Sequence, residues 1–170
     1  MHTGASFSKK LIKNDYLRII IGAAIVIGLT MLLGTRDYNG GGMHVIKAAV
    51  EGSARPEAFL LKLLMTAVTL SAGFKGGEIV PCFFVGSTFG CVAASLIGLN
   101  PSIGAAVGMM ALFGGVTNTP AATILLAAEI FSGKYLIAFA LAVCISYFVS
   151  GRSSLYHSQA FLDSKFSWKD

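Results

Sequence analysis

The sequence predicts an all-α, polytopic membrane protein built from long tilted and short broken helices. Three observations predict it. Of 170 residues, 55% are hydrophobic and only 12% are charged, about half the charged share of a soluble domain. Mean hydropathy is +0.74, and several apolar runs approach or exceed the ~18 residues that read as spanning candidates. Between these runs lie Gly- and Pro-rich interruptions and apolar segments too short to cross a bilayer. Chain breaks at membrane depth are tolerated only where protein or a water-filled cavity supplies partners. Half-helices that meet near the midplane build ion sites in transporters.

The elements follow in order. Residues 1–15 form a polar lead, and 16–33 read as a first long apolar helix. Residues 35–42, Thr-Arg-Asp-Tyr-Asn-Gly-Gly-Gly, are rich in turn formers and break the chain. A short helix over 43–51 precedes Pro56, which suits the first turn of a second long helix over 58–72. After the segment 73–81, the run 82–99 is apolar again, and Gly86, Gly90, Ala94 and Gly98 recur every four residues. Such a stripe of small groups permits close helix–helix contact in lipid.

Asn100-Pro101 reads as an N-cap with proline at the first helical position, opening a helix through Phe113 with a second small-residue face at Gly104 and Gly108. Residues 114–120, Gly-Gly-Val-Thr-Asn-Thr-Pro, then break the chain. The following helix, 121–131, spans about 16 Å, half a bilayer core. Gly133 ends it, 135–150 is a further helix, and a short amphipathic end follows around 156–166. Residues 167–170 are a tail, with Trp168 suited to the interface.

The net charge of +5 does not imply nucleic acid as a partner, because the basic residues sit mostly at the ends of apolar runs and in the tails, where lipid headgroups lie. Lys9, Lys10, Lys13 and Arg18 argue for a cytoplasmic start, and Lys165 and Lys169 for a cytoplasmic end. No small-residue cleavage site follows the first apolar run, so it reads as retained rather than as a signal peptide. Cys82, Cys91 and Cys144 fall inside apolar stretches with no metal spacing, and read as small buried hydrophobes. His2, His44 and His157 are scattered. No nucleophile–base pair, metal set or Walker loop is present, so the chain is read as neither an enzyme nor a cofactor protein.

Glu78 is the feature that stands out. Gly73-Phe-Lys-Gly-Gly-Glu-Ile-Val-Pro81 sets a carboxylate among glycines and a proline between two apolar runs. An ionisable group at membrane depth points to an ion or proton pathway. A helix beginning at Glu78-Ile79 would aim free N–H donors and a positive dipole end at an anion. The competing reading is a carboxylate capping its helix at the membrane surface. Lys75 either pairs with Glu78 or marks an aqueous mouth. Glu129, near the end of the 121–131 helix, opposes the dipole and reads as a structural hydrogen bonder. Thr117, Asn118 and Thr119 read as capping and backbone repair. Tyr156 is either an interfacial tyrosine or a phenol aimed at an anion.

Three stretches together carry a family resemblance. Gly76-Gly-Glu-Ile-Val-Pro81 resembles the GxFxP-type motif of the chloride channel (CLC) family of channels and proton-coupled antiporters. The run 108–130, Gly-Met-Met-Ala-Leu-Phe-Gly-Gly-Val-Thr-Asn-Thr-Pro-Ala-Ala-Thr-Ile-Leu-Leu-Ala-Ala-Glu-Ile, is similar to that family's GMxALxAGxxxxPLTxxxLxxE stretch. Gly151-Arg-Ser-Ser-Leu-Tyr156 looks like the segment bearing its anion-coordinating tyrosine. The resemblance covers residues 16–166 and implies the second inverted repeat of the CLC fold. It implies chloride or fluoride transport, by a channel or an anion/proton antiporter, in the cell membrane. Backbone N–H groups of Glu78 and Ile79 would face the anion, with Gly76, Gly77 and Pro81 shaping the backbone. The Tyr156 hydroxyl would donate to the anion. The helices over 120–131 and 135–150 would form a homodimer interface.

Two departures qualify that picture. Ile79 stands where the family motif has Phe, and Glu78 where it has an apolar residue. The Gly-Gly-Glu-x-x-Pro form resembles a bacterial branch that includes fluoride/proton antiporters, in which that glutamate helps coupling. This leaves chloride and fluoride both open. The first repeat's GxEGP-like and GSGxP-like motifs do not occur here, so the chain resembles a C-terminal half. It is expected to need a partner N-terminal half, or else to be a truncated, non-transporting membrane subunit.

Overall fold

The computed structural model describes residues 14–74 and 76–151. Lys75 and Tyr156 therefore lie outside the described residues, as does the predicted amphipathic end. Every regular element among the described residues is a helix: α1 Asp15–Leu33, α2 Met43–Val50, α3 Ala58–Ser71, α4 Ile79–Leu96, α5 Pro101–Thr117, α6 Pro120–Ile130 and α7 Leu136–Val149.

Local chemistry sets most of the ends. The Asn14 side chain accepts from the Tyr16 N–H to open α1, and Gly34, at φ +63°, closes it with its own N–H on Thr30 and Met31 carbonyls. Asn100 accepts from the Ser102 N–H at 3.0 Å, with Pro101 at the first position of α5. Thr119 and Pro120 stand in the same relation to α6, although the Thr119 side chain makes no capping bond and pairs instead with the Thr117 hydroxyl at 2.8 Å. Gly133 closes α6 at φ +73°, donating to Ala128 O at 2.8 Å.

Packing overrules local preference in two places. Gly114 and Gly115 were expected to break the chain, yet α5 runs through both and stops only at Asn118, which takes the left-handed conformation at φ 57°. Both glycines are buried against α7. A Cβ at Gly114 would lie 2.8 Å from Val143 Cγ1, and one at Gly115 would meet the Ser146 hydroxyl. They are contact residues rather than breakers. Gly98 departs from the expected stripe, because α4 ends at Leu96 and Gly98, at φ +73°, lies in the turn beyond it.

The rest of the stripe forms the centre of the molecule. Gly86 and Gly90 of α4 press directly on the backbone of α5 at Gly104 and Gly108. A Cβ at Gly86 would stand 2.7 Å from Gly108 O and 2.9 Å from Met109 Cα, and a Cβ at Gly108 would stand 2.9 Å from Gly90 Cα. Around this seam are buried Phe84, Met109, Met110, Phe139 and Val143. Thr88 and Ser87 hydroxyls bond back to Phe84 O at 2.7 and 3.1 Å, so these buried polar groups are satisfied within their own helix.

On the other side, α1 holds the end of α3. Arg18 reads from sequence as a headgroup-facing charge but is buried. Its Nε donates to Ala72 O at 3.2 Å and its Nη2 pairs with Asp15 at 2.9 Å. Gly22 gives α1 the clearance to rest on Ala72.

Among the described residues, α1 and α4 are long and apolar enough to cross a membrane, and α3, α5, α6 and α7 are shorter apolar helices. Only 11% of the α1 apolar window is buried within the molecule, so α1 is not the core helix of a water-soluble fold. Its Ile20, Met31 and Leu32 face outward. Of the three cysteines, Cys91 is buried and Cys82 half-buried, but Cys144 is exposed on α7, contrary to expectation.

The glycine seam makes a paired prediction. Gly90→Ala places a methyl where backbone stands, and is expected to cost about 1–3 kcal/mol or more, as overpacking does. Gly28→Ala on α1 meets nothing within 4 Å and is expected to be neutral or slightly stabilising. Thermal unfolding of the two detergent-solubilised variants checks the contrast.

Candidate functional site

The segment singled out in the sequence lies where α3 gives way to α4. Gly73, at φ +95°, turns the chain beside the Arg18 guanidinium, where a Cβ would lie 2.9 Å from Nη2. Gly76 and Gly77 follow, and a Cβ on either would meet nothing within 4 Å, so their backbone is open to the surroundings. The helix α4 then begins at Ile79, earlier than the apolar run that starts at Cys82. Pro81 fits because first-turn N–H groups have no intrahelical acceptor in any case. The first α4 bond here is Cys82 N–H to Glu78 O, at 3.2 Å. The half-buried Glu78 side chain makes no capping bond. The first turn of α4 is therefore an uncapped N-terminus, with the positive end of the helix dipole.

That end borders a cavity of about 450 Å³. Its walls come from four segments: Gly76, Gly77, Val80 and Pro81 of the motif; Asn39, Gly40 and Gly41 of the loop before α2; Lys62, Thr66 and Thr69 of α3; and Val26 of α1. Of the residues expected at a site, Gly76, Gly77 and Pro81 line this cavity. Glu78 and Ile79 are not among its lining residues, and Ile79 is exposed. Glu129 is exposed on α6.

Lys62 is the residue that the sequence reading missed. It is only 2% exposed. Its Nζ donates to Tyr38 O at 3.1 Å and to Gly40 O, and it lies 5.0 Å from the centre of the Phe84 ring. The ion pairs among the described residues are Arg18–Asp15, His44–Asp37 and Lys47–Glu51, so none of their carboxylates pairs with Lys62. The available signal was a lone charge inside an otherwise apolar run, 58–72, which in a membrane segment marks a functional site by default.

The loop that Lys62 holds has its own supports. Gly42, at φ +64°, lets the chain pass the Phe84 ring, where a Cβ would come within 2.6 Å. The Asn39 side chain donates to the Thr30 hydroxyl at 3.1 Å. Asp37 accepts from the His44 ring at 2.9 Å.

A family model described as "Voltage gated chloride channel" matches residues 1–151. The chain belongs to this family. Among its relatives is a "Chloride/fluoride channel protein" of Pseudomonas syringae pv. tomato, 35% identical over 170 residues, covering 96% of this chain and 38% of the relative. An "H(+)/Cl(-) exchange transporter ClcA" of Vibrio vulnificus is 29% identical over 138 residues, covering 74% of this chain and 30% of the relative. A solved structure, "Crystal structure of a CLC-type fluoride/proton antiporter", superposes with a TM-score of 0.86 at 36% identity. That match covers 92% of this chain and 40% of the antiporter chain. The chain thus spans well under half the length of the relatives it matches. The all-α fold and the membrane family expected from the motifs are both as observed, and the family is one of channels and antiporters, not enzymes.

The Asp37–His44 contact makes a pH-dependent prediction. The His44 hydrogen bond, followed by one from Thr35, holds the Asp37 carboxyl below its ordinary range. A lowered carboxylate stabilises the folded loop at pH above the ordinary carboxylate range, and that contribution fades as the pH falls through the lowered value. His44→Ala is expected to raise the Asp37 pKa back toward the ordinary value, read from the carboxyl carbon shift by NMR.

Proposed function

We propose that the chain supplies one wall of a transmembrane anion pathway, for chloride or fluoride, in a CLC-type channel or anion/proton antiporter. The observation that carries this reading is the uncapped start of α4 bordering a cavity. Unsatisfied N–H groups and a helix dipole favour an anion at that place. Backbone N–H groups of Glu78 and Ile79 would face the ion, and the Tyr156 hydroxyl would complete its coordination.

The half-buried Glu78 carboxylate, unused as a cap, is the coupling residue in this reading. Two relatives support it: one is a chloride/fluoride channel protein and the superposing structure is a fluoride/proton antiporter. The protein is a multi-pass protein of the cell membrane in this reading, and a homodimer through the helices over 120–131 and 135–150. Those helices expose Leu125, Ile130, Ile137, Leu141, Ile145 and Val149, apolar groups that need lipid or a partner.

The chain spans 38% of its Pseudomonas relative, and this favours a second reading, a truncated membrane subunit that does not transport. Liposome flux separates the two when the chain is reconstituted alone and with a first-repeat polypeptide. Flux of fluoride or chloride is expected only from the combination. In that combination Glu78→Gln is expected to lower proton-coupled flux about tenfold or more, the effect of losing roughly 1.4 kcal/mol. Normal coupling in the variant removes Glu78 from the mechanism. No flux from either sample favours the non-transporting subunit.

A further inference from the structure

The glycine-rich loop before α2 touches each helix that borders the cavity. Asn39 donates to the Thr30 hydroxyl of α1 at 3.1 Å. Tyr38 O and Gly40 O accept from Lys62 of α3. The Tyr38 ring stands edge-on to Phe84 of α4, with the ring centres 6.3 Å apart. A Cβ at Gly41 would lie 3.5 Å from Val80 Cγ1, and one at Gly42 would come within 2.6 Å of the Phe84 ring. The loop thus rests on the first turn of α4 at Val80 and on the second at Phe84.

The loop has little of its own to hold this shape. Gly40, Gly41 and Gly42 have no side chains to pack, and glycine loses the most conformational freedom on folding. Bonds from outside must supply the order. Lys62 supplies it at two carbonyls, one on each side of Asn39. Hydrogen bonds from a charged donor are roughly twice as strong as neutral ones. The same ammonium lies 5.0 Å from the centre of the Phe84 ring. Loop, α3 and α4 therefore meet at one buried point, where Lys62 is 2% exposed and Phe84 0%.

We propose that Lys62 is a positioning residue for the start of α4, acting through the loop at 38–42 and the Phe84 ring. The glycine seam grips α4 from Gly86 onward. Residues 79–84 lie ahead of the seam, and the loop gives them a second hold. Glu78 O accepts the first α4 bond, from the Cys82 N–H, so Glu78 is carried with these turns. The bearing of this hold on transport rests on the anion reading above, whereas the positioning itself does not.

The test is amide hydrogen exchange on the detergent-solubilised chain, read by mass spectrometry after proteolysis. Lys62→Met removes the donors, Lys62→Gln keeps a neutral donor, and Lys62→Arg keeps both charge and donors. Met is expected to speed exchange about tenfold or more over 38–46 and over 82–86, because two carbonyls lose their donor. Residues 105–115 of α5 and 139–146 of α7 are expected to stay within about twofold of the unmodified chain. Arg is expected to bring both affected regions back to within about threefold. Phe84→Leu removes the ring that links loop to helix. In that background Lys62→Met is expected to speed exchange in the loop and to leave 82–86 as Phe84→Leu alone leaves it.

Faster exchange confined to the loop in Lys62→Met overturns the proposal and leaves Lys62 as a tether for the loop alone. An equal effect on 82–86 with and without the Phe84 ring also overturns it, since the hold then does not run through Phe84. Where Lys62→Met loses its helical circular dichroism, Lys62→Gln carries the comparison. A uniform rise over all helices in Lys62→Gln defeats the positioning role.

Discussion

Backbone-to-backbone contact between α4 and α5 is the constraint on which the other features depend. Gly86 and Gly90 meet Gly104 and Gly108 with no room for a Cβ. In lipid there is little hydrophobic drive to bring helices together, so close packing of small residues must do so. This contact fixes α4 along its middle and thereby fixes where its first turn points. The start of α4 then needs no cap from its own sequence, because the seam holds the helix in place. An N-terminus left uncapped in this way keeps its N–H groups available for a ligand.

The opposite side of the cavity is positioned by charges that are buried rather than exposed. Arg18 fastens the end of α3 to α1 through Ala72 O, just before the chain turns at Gly73. Lys62 fastens the loop before α2 to α3 through Tyr38 O and Gly40 O. Both cations bond to backbone carbonyls, and Arg18 pairs with Asp15 as well, which is how a charged side chain is accommodated away from water.

Much of this was legible in the sequence, and what was not has a physical reason. The four-residue spacing of Gly86, Gly90 and Ala94 announces a helix face, and the seam lies on it. Asn100-Pro101 acts locally, so its cap stands where expected. Gly114 and Gly115 misled because glycine has two uses, as a breaker and as a point of close approach. Only the position of Val143 and Ser146 on α7 selects the second. Lys62 was passed over for a related reason. Its significance comes from the loop at 38–41 and from the motif at 76–81, neither of which is near it in sequence. Arg18 looked like a headgroup contact because it follows a basic, polar stretch, while one of its two partners, Ala72, lies 54 residues away.

The central claim is that the first turn of α4 receives an anion through its backbone. It is tested most directly by amide shifts of isotope-labelled chain in micelles, titrated with sodium fluoride or sodium chloride against sodium gluconate. Hydrogen bonding to a halide is expected to move the Glu78, Ile79 and Val80 amide signals downfield and saturably, while those of α6 and α7 stay in place. Saturable shifts confined to other parts of the chain, or none under either halide, would contradict the account.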